Sequence, residues 1–156
     1  MGRDAGFIAL RCGVAGGAEA ILIPETKTDI PKLIKTLDHG WRRKKSSSIV
    51  IVSEGDEFGG ADEVAKAVEA EIPNRYDIRK TILGHIQRGG SPTCIDRVRA
   101  SKMGFFAVEA LLEGKSNVMT GIRHKKIILV PLSEAVKSNV DKTRNELIRI
   151  AEILSY

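Results

Sequence analysis

The run Ser48-Ile49-Val50-Ile51-Val52-Ser53 constrains the fold more than any other stretch of the chain. Four successive β-branched side chains are stiff at χ1 and fit a pleated surface, so the segment reads as a central strand. Helical patterns stand on both sides of it. Upstream, Asp29 can cap a helix that has Pro31 near its start and Leu33, Ile34 and Leu37 as its apolar stripe. Downstream, residues 61–71 read as a helix with Val64 and Val68 facing inward. A shorter strand, Ala20 to Ile23, is closed by Pro24, and residues 4–15 carry Phe7, Ile8, Leu10 and Val14 at helical spacing before Gly16-Gly17. Further strands are expected over 78–83 and, as a pair around Arg123-His124, within 118–130. Further helices are expected over 93–113, 133–137 and 141–154. Strand and helix alternate. The expectation is an α/β fold, a three-layer α/β/α arrangement with a mainly parallel sheet, in a single domain spanning residues 1–156.

Composition narrows the function classes. At 156 residues the chain fits one domain and can bury a real core, and 42% apolar with 29% charged residues is an ordinary globular balance. Aromatics at 4% argue against a base-stacking platform, so no nucleic-acid partner is expected. The net charge of +5 suits anionic ligands, although Lys and Arg are spread along the chain as on a solvated surface. Cys12 and Cys94 have neither metal-ligand spacing nor a disulfide framework, which is consistent with a reducing cytoplasm. No apolar run approaches 18 residues and there is no signal-peptide pattern, so no membrane association is expected.

Chemistry concentrates between Asp77 and Thr93. The apolar Thr81-Ile82-Leu83 runs into a loop carrying His85 and Arg88, which Gly89-Gly90 and Ser91-Pro92 end before the next helix, and Arg79 lies six residues before His85. Such a loop can bring cationic side chains to one phosphate at a strand's carboxyl end, the ligand end of open α/β sheets. The planar guanidinium adds fixed charge and bidentate geometry. Phosphoryl transfer also needs a nucleotide cradle and a base for the acceptor hydroxyl. This chain has no G-x-x-x-x-G-K-[ST], no Gly-Gly-Asp-Gly turn after a strand and no Asp-x-Asp pair. His39 and His124 have no neighbours that recommend a chemical role.

Met1-Gly2-Arg3-Asp4-Ala5-Gly6, Ala15-Gly16-Gly17-Ala18-Glu19, Ile21-Leu22-Ile23-Pro24-Glu25 and Leu83-Gly84-His85-Ile86-Gln87-Arg88-Gly89-Gly90-Ser91-Pro92 occur in one order and at matching spacing. Together they resemble the C-terminal half of bacterial ATP-dependent 6-phosphofructokinases, from Met1 to about Ile122 and more loosely beyond. The resemblance implies a phosphofructokinase-like C-terminal domain that binds substrate, with the nucleotide turn and the catalytic Asp in an N-terminal half outside these residues. Carried over position by position, Met1 and Gly2 would line the fructose 6-phosphate pocket, and Arg3 would face the transferring phosphoryl group. Glu54, at the carboxyl end of the Ser48–Ser53 strand, would contact the fructose hydroxyls. His85 and Arg88 would hold the 6-phosphate, and Arg79 would reach the phosphate of a neighbouring subunit. Gly17, Glu19, Arg43 and Lys45 match an effector pocket for a nucleotide diphosphate or phosphoenolpyruvate. There Glu19 would act through magnesium on the effector and the two cations would bind its phosphates.

The complete enzyme implied is a cytoplasmic, allosteric homotetramer that uses Mg2+ and ATP in glycolysis. Two rival readings share these residues, a pyrophosphate-dependent relative and a stand-alone sugar-phosphate or effector-binding module without catalysis. A solvated basic helix end, favoured by the helix dipole, accounts for residues 42–45 about as well as an effector site does.

Overall fold

The computed structural model describes Gly2, residues 4–136 and residues 142–154. In chain order the elements are α1 (Phe7–Gly16), β1 (Ala20–Leu22), α2 (Ile30–Arg42), β2 (Val50–Val52), α3 (Ala61–Glu71), a 3-10 turn (His85–Arg88), α4 (Cys94–Leu112), β3 (Val118–Arg123), β4 (Lys126–Pro131), α5 (Leu132–Ala135) and α6 (Lys142–Leu154). They fall into two compact units, Met1–Arg88 with Asp141–Tyr156, and Gly89–Val140.

In the first unit β1 and β2 pair in parallel, with Ala20 opposite Val50, Ile21 opposite Ile51 and Leu22 opposite Val52. Successive strand side chains point to opposite faces, and the contacts divide accordingly. Ala20, Leu22, Val50 and Val52 pack on Leu33 and Leu37 of α2 and on Val64 and Val68 of α3, all four of which are buried. Ile21 turns the other way, onto α1, where a Cβ at Gly13 would lie 2.4 Å from its Cδ1. The α6 helix joins α1 on that side and also packs against β1. Helices therefore cover both faces of the parallel pair, which gives the three layers of the α/β fold. Burying each Leu or Val of the α2–α3 core contributes about 1.5–3 kcal/mol relative to exposure.

Local chemistry fixes the helix ends. Asp29 Oδ1 accepts the Lys32 N–H at 2.8 Å, with Pro31 in the first turn, so α2 starts where the sequence predicts. Gly17 closes α1 at φ 68°, a left-handed conformation that glycine adopts without strain. The last turn of α2 also holds the segment after α3. Asp38 accepts from Arg42 Nε at 2.7 Å and from the Arg75 guanidinium, while the Tyr76 hydroxyl donates to the Leu37 carbonyl at 2.6 Å. The rings of Trp41 and Tyr76 meet edge to face, with centroids 5.4 Å apart. Burial raises the Tyr76 phenol pKa; Arg75 opposes this, and the Asp38 and Glu19 carboxylates add to it.

The second unit is built on α4 and a hairpin. Thr93 Oγ1 accepts the Asp96 N–H at 3.3 Å and Asp96 Oδ2 accepts the Thr93 N–H at 2.9 Å, a reciprocal cap. These bonds hold the Asp96 carboxyl below its ordinary range, the Thr93 backbone N–H first and its hydroxyl second. The β3 and β4 strands pair antiparallel through the two-residue turn His124-Lys125, whose φ angles of 50° and 64° suit the twist of a tight hairpin. The α4 helix packs on this hairpin but leaves Phe105, Val108, Leu111 and Leu112 exposed. No helix among the described residues is long and apolar enough to cross a membrane.

One expected strand is absent. Residues 78–84 run without regular structure, and Ile82 and Leu83 are exposed. A strand is completed by its neighbour's ladder, and no described strand pairs with this segment. Only Ile78, at its start, packs on the α2–α3 core.

Candidate functional site

Of the predicted site residues, Glu54 follows β2 and Glu19 precedes β1, at opposite ends of the parallel pair. At the carboxyl end, three loops are tied together by side chains. Ser53 N–H extends the pairing to the Leu22 carbonyl at 2.9 Å, and the chain then turns through Glu54. Thr28, in the loop after β1, donates from Oγ1 to Asp56 Oδ2 at 2.7 Å and from its N–H to Glu57 Oε1 at 3.1 Å. Glu25, in the same loop, accepts the Gly6 N–H at 2.8 Å, which fixes the start of α1 and the residues leading into it. Gly2 closes a turn by accepting the Ala5 N–H at 3.0 Å. Its φ of 122° and the 2.6 Å that would separate a Cβ from the Ala5 carbonyl oxygen require glycine there. Met1 and Arg3, assigned to the pocket by resemblance, lie outside the described residues. Gly2 and Glu54 thus belong to segments anchored at one end of the strand pair, and Glu54 is exposed there.

His85 and Arg88 share one 3-10 turn and are both exposed, as is Arg79, which pairs with Asp77 at 3.0 Å. The segment leading to this turn is pinned by Lys80, whose Nζ lies 2.6 Å from Asp62 Oδ1 in the first turn of α3. That hydrogen bond lowers the Asp62 pKa and raises that of Lys80. The sequence expectation placed His85 and Arg88 beyond a strand. They follow an extended, unpaired stretch instead, held by an ion pair and by Ile78.

The other predicted cluster sits at the amino end. Glu19 immediately precedes β1, its N–H donates to the Ile49 carbonyl at 2.9 Å, and its Oε2 accepts the Ile49 N–H at 2.5 Å. Its Oε1 lies 3.2 Å from Lys45 Nζ. Gly17 ends the helix two residues earlier, and Arg43 caps α2 with its N–H on the His39 carbonyl and its side chain exposed. Gly17, Glu19 and Lys45 come together here, beside an exposed Arg43. Both Glu19 oxygens have a partner within the protein, the Ile49 N–H and Lys45. Among the described residues no three His, Cys, Asp or Glu side chains gather as a metal site.

The family model for phosphofructokinase matches residues 1–111. The chain belongs to the phosphofructokinase family. Over 99% of its length it is 48% identical to ATP-dependent 6-phosphofructokinase 2 of Bacteroides thetaiotaomicron, of which it covers 47%. It is 47% identical, again over 99% of its length, to ATP-dependent 6-phosphofructokinase 1 of Thermus thermophilus, of which it also covers 47%. The chain therefore spans about half the length of the curated relatives it matches. Among solved structures, phosphofructokinase from Saccharomyces cerevisiae superposes with a TM-score of 0.71 at 34% identity, covering 99% of this chain and 21% of that one. A pyrophosphate-dependent phosphofructokinase from Marinobacter aquaeolei gives 0.72 at 25% identity, covering 97% and 46%. The Pichia pastoris enzyme in the T-state gives 0.81 at 18% identity over 99% and 22%, a likeness of fold. The α/β phosphofructokinase fold expected from the sequence is the fold of this chain.

Sequence reasoning missed Glu25, Thr28 and Asp56, the residues that tie the carboxyl-end loops together. In the sequence Asp56 stands two residues from Glu54 in a loop with Glu57, with nothing to set it apart. The two differ sharply in the structure, with Asp56 only 6% exposed.

Proposed function

We propose that this chain is the carboxyl-terminal, fructose 6-phosphate-binding part of an ATP-dependent 6-phosphofructokinase. The observation that carries the proposal is the 47–49% identity, over nearly the whole chain, to relatives that bear that name. The placement of Glu54 and Gly2 at the carboxyl end of a parallel pair, where open α/β sheets take ligands, supports it. In this reading His85 and Arg88 bind the 6-phosphate with charge-assisted hydrogen bonds, and Arg79 does so across a subunit boundary. Glu54 accepts hydrogen bonds from sugar hydroxyls and orients the ring, with Met1 and Gly2 lining the pocket. Arg3 stabilises the charge that develops on the moving phosphoryl group, which passes to the 1-hydroxyl of the sugar. Mg2+ arriving with ATP neutralises phosphate charge in such reactions. The base and the nucleotide cradle lie outside these 156 residues.

The same reading makes the enzyme a cytoplasmic glycolytic homotetramer. Gly17, Glu19, Arg43 and Lys45 would form an effector site for phosphoenolpyruvate or a nucleoside diphosphate. For magnesium on such an effector to reach Glu19, Lys45 must first release the carboxylate to take the phosphates.

The test is fructose 1,6-bisphosphate production by the full open reading frame and by the 156-residue chain alone, with Mg-ATP or with pyrophosphate. The full protein is expected to turn over with ATP, and the isolated chain to give no turnover above a heat-killed control. Turnover by the isolated chain, or by the full protein with pyrophosphate alone, would overturn the proposal.

A further inference from the structure

Among the described residues Asp56 is the one charged side chain that is buried. It belongs to no proposed contact with sugar, phosphate or effector, yet a buried carboxylate is costly unless it is fully hydrogen-bonded. Its bonds meet that requirement. Oδ2 accepts from Thr28 Oγ1 at 2.7 Å and Oδ1 accepts the Phe58 N–H at 3.1 Å. Its backbone is engaged as well, with the N–H donating to the Ser53 carbonyl at 3.3 Å and the carbonyl accepting the Gly59 N–H at 3.2 Å.

The bond from Asp56 N–H to the Ser53 carbonyl closes a four-residue turn, Ser53-Glu54-Gly55-Asp56, that leaves β2. Both ends of the turn are buried, Ser53 at 8% and Asp56 at 6%, and Glu54 stands exposed between them. One end is fixed by the strand pairing of Ser53 to Leu22. The other is fixed by Thr28, which belongs to a different loop. Without the Thr28–Asp56 bond the far end of the turn would keep only the exposed Thr28 N–H to Glu57 tie to that loop, and Gly55, lacking a Cβ, would give Glu54 more freedom to swing.

We infer that Asp56, held by Thr28, is a positioning residue that sets the direction of Glu54 for sugar binding. This rests on the proposed reading in which Glu54 meets the fructose hydroxyls. A carboxylate suits the task because its two charge-assisted bonds, one to Thr28 in another loop and one to Phe58 in its own, give a defined geometry that a neutral side chain holds less firmly. An orienting group displaced by about 1 Å can cost up to a hundredfold in rate.

The experiment is a double-mutant cycle in the complete enzyme, with Asp56→Ala, Thr28→Val and Glu54→Ala alone and combined. The readouts are KM for fructose 6-phosphate, KM for ATP and the thermal midpoint. Asp56→Ala and Thr28→Val are each expected to raise the sugar KM about tenfold while leaving that for ATP in place. In the Glu54→Ala background they are expected to add nothing further, because the group they aim is gone. Thr28→Ser keeps the hydroxyl and should restore the parent KM, which guards against an Asp56 variant that folds poorly. Additive effects in the double variants, or a sugar KM unmoved by Thr28→Val, would overturn the inference. A silent Glu54→Ala would remove the sugar contact itself and the positioning role with it, an outcome distinct from failure of the clamp alone.

Discussion

The two ends of the β1–β2 pair hold their charges in opposite ways, although strands of three residues separate them by only about 10 Å. At the amino end, Glu19 is already paired with Lys45 and with the Ile49 N–H, and its side chain is only 10% exposed. The turn of His85 and Arg88, by contrast, lies open to solvent. A ligand at that turn finds the exposed His85 and Arg88 within reach. A phosphate binding Lys45 at the amino end competes with Glu19 for its charge, so its affinity depends on whether that ion pair is kept. Differential affinity of that kind is what an effector needs in order to shift an equilibrium. On the proposed reading, the exposed turn serves substrate binding and the paired corner serves switching.

The largest effect expected from breaking this contrast is at the exposed turn. Arg88→Ala removes a charged partner from a dianionic phosphate, a loss on the order of 2–5 kcal/mol when the pair is desolvated. In the complete enzyme, KM for fructose 6-phosphate should rise at least about thirtyfold by that measure, with KM for ATP nearly unchanged. Steady-state kinetics with each substrate varied in turn checks this. Equal effects on both substrates would mean that the variant had damaged the fold. Arg79→Ala should weaken binding and also flatten cooperativity, since that residue is expected at a subunit boundary.

Next in size is the paired corner. Arg43→Ala with Lys45→Ala should leave maximal velocity near that of the parent and abolish the response to phosphoenolpyruvate or a nucleoside diphosphate. The coupling lost is typically about 1–3 kcal/mol, or 5–150-fold in apparent affinity. Initial rates against substrate, with and without effector, measure it. A double variant that still responds like its parent would return residues 42–45 to a solvated helix end.

How much of this was legible in the sequence follows the range of the interactions. Asp29 with Pro31, and Thr93 with Asp96, are local caps, and each helix starts where its cap residue stands. The α2–α3 core is local periodicity, with Leu33 and Leu37 one turn apart and Val64 and Val68 likewise. Residues 78–83 carry a strand pattern, but whether a strand forms depends on a distant partner, and none is supplied by the described residues. Asp56 was illegible for the same reason. Its burial depends on Thr28, 28 residues away, and Asp38 meets Arg75 across 37. Of the candidate site, residue types, motif order and the place of Glu54 after its strand were readable, and the pairing of Glu19 with Lys45 and Ile49 was not.

A smaller effect sharpens the contrast through α2, which supplies Lys45's neighbourhood at one end and the core at the other. Asp29→Ala deletes the cap on Lys32 N–H and should cost about 1 kcal/mol of stability. Urea denaturation of the complete enzyme checks this through the transition midpoint. Asp29→Asn should recover most of the loss, because an amide oxygen can accept the same bond. No recovery would mean that charge at the helix start, and not the hydrogen bond, supplies the stability.

The smallest expected effect is at Asp62–Lys80, the ion pair that fastens the His85 turn to α3. Both side chains are 44% exposed, so solvent and salt screen the pair and it does little for global stability. Its sign is nevertheless fixed. The folded-state pKa of Asp62 is lowered, chiefly by the Lys80 hydrogen bond, so its contribution is present above the ordinary value of about 3.9 and is lost as pH falls through the lower folded value. The folded-state pKa of Lys80 is raised by Asp62, so its contribution is present below about 10.4 and is lost as pH climbs past the higher folded value. Asp62→Asn should therefore lower the thermal midpoint slightly between those limits, more at low ionic strength than near 1 M salt. The difference should vanish at the acid extreme, where Asp62 is protonated in both states. The same variant should raise the sugar-phosphate KM modestly, because the exposed turn loses its fastening while the paired corner is untouched. A gap in midpoint that survived both acid and high salt would mean that Asp62 stabilises α3 by packing and not by charge, and that the ion pair does not fasten the phosphate turn.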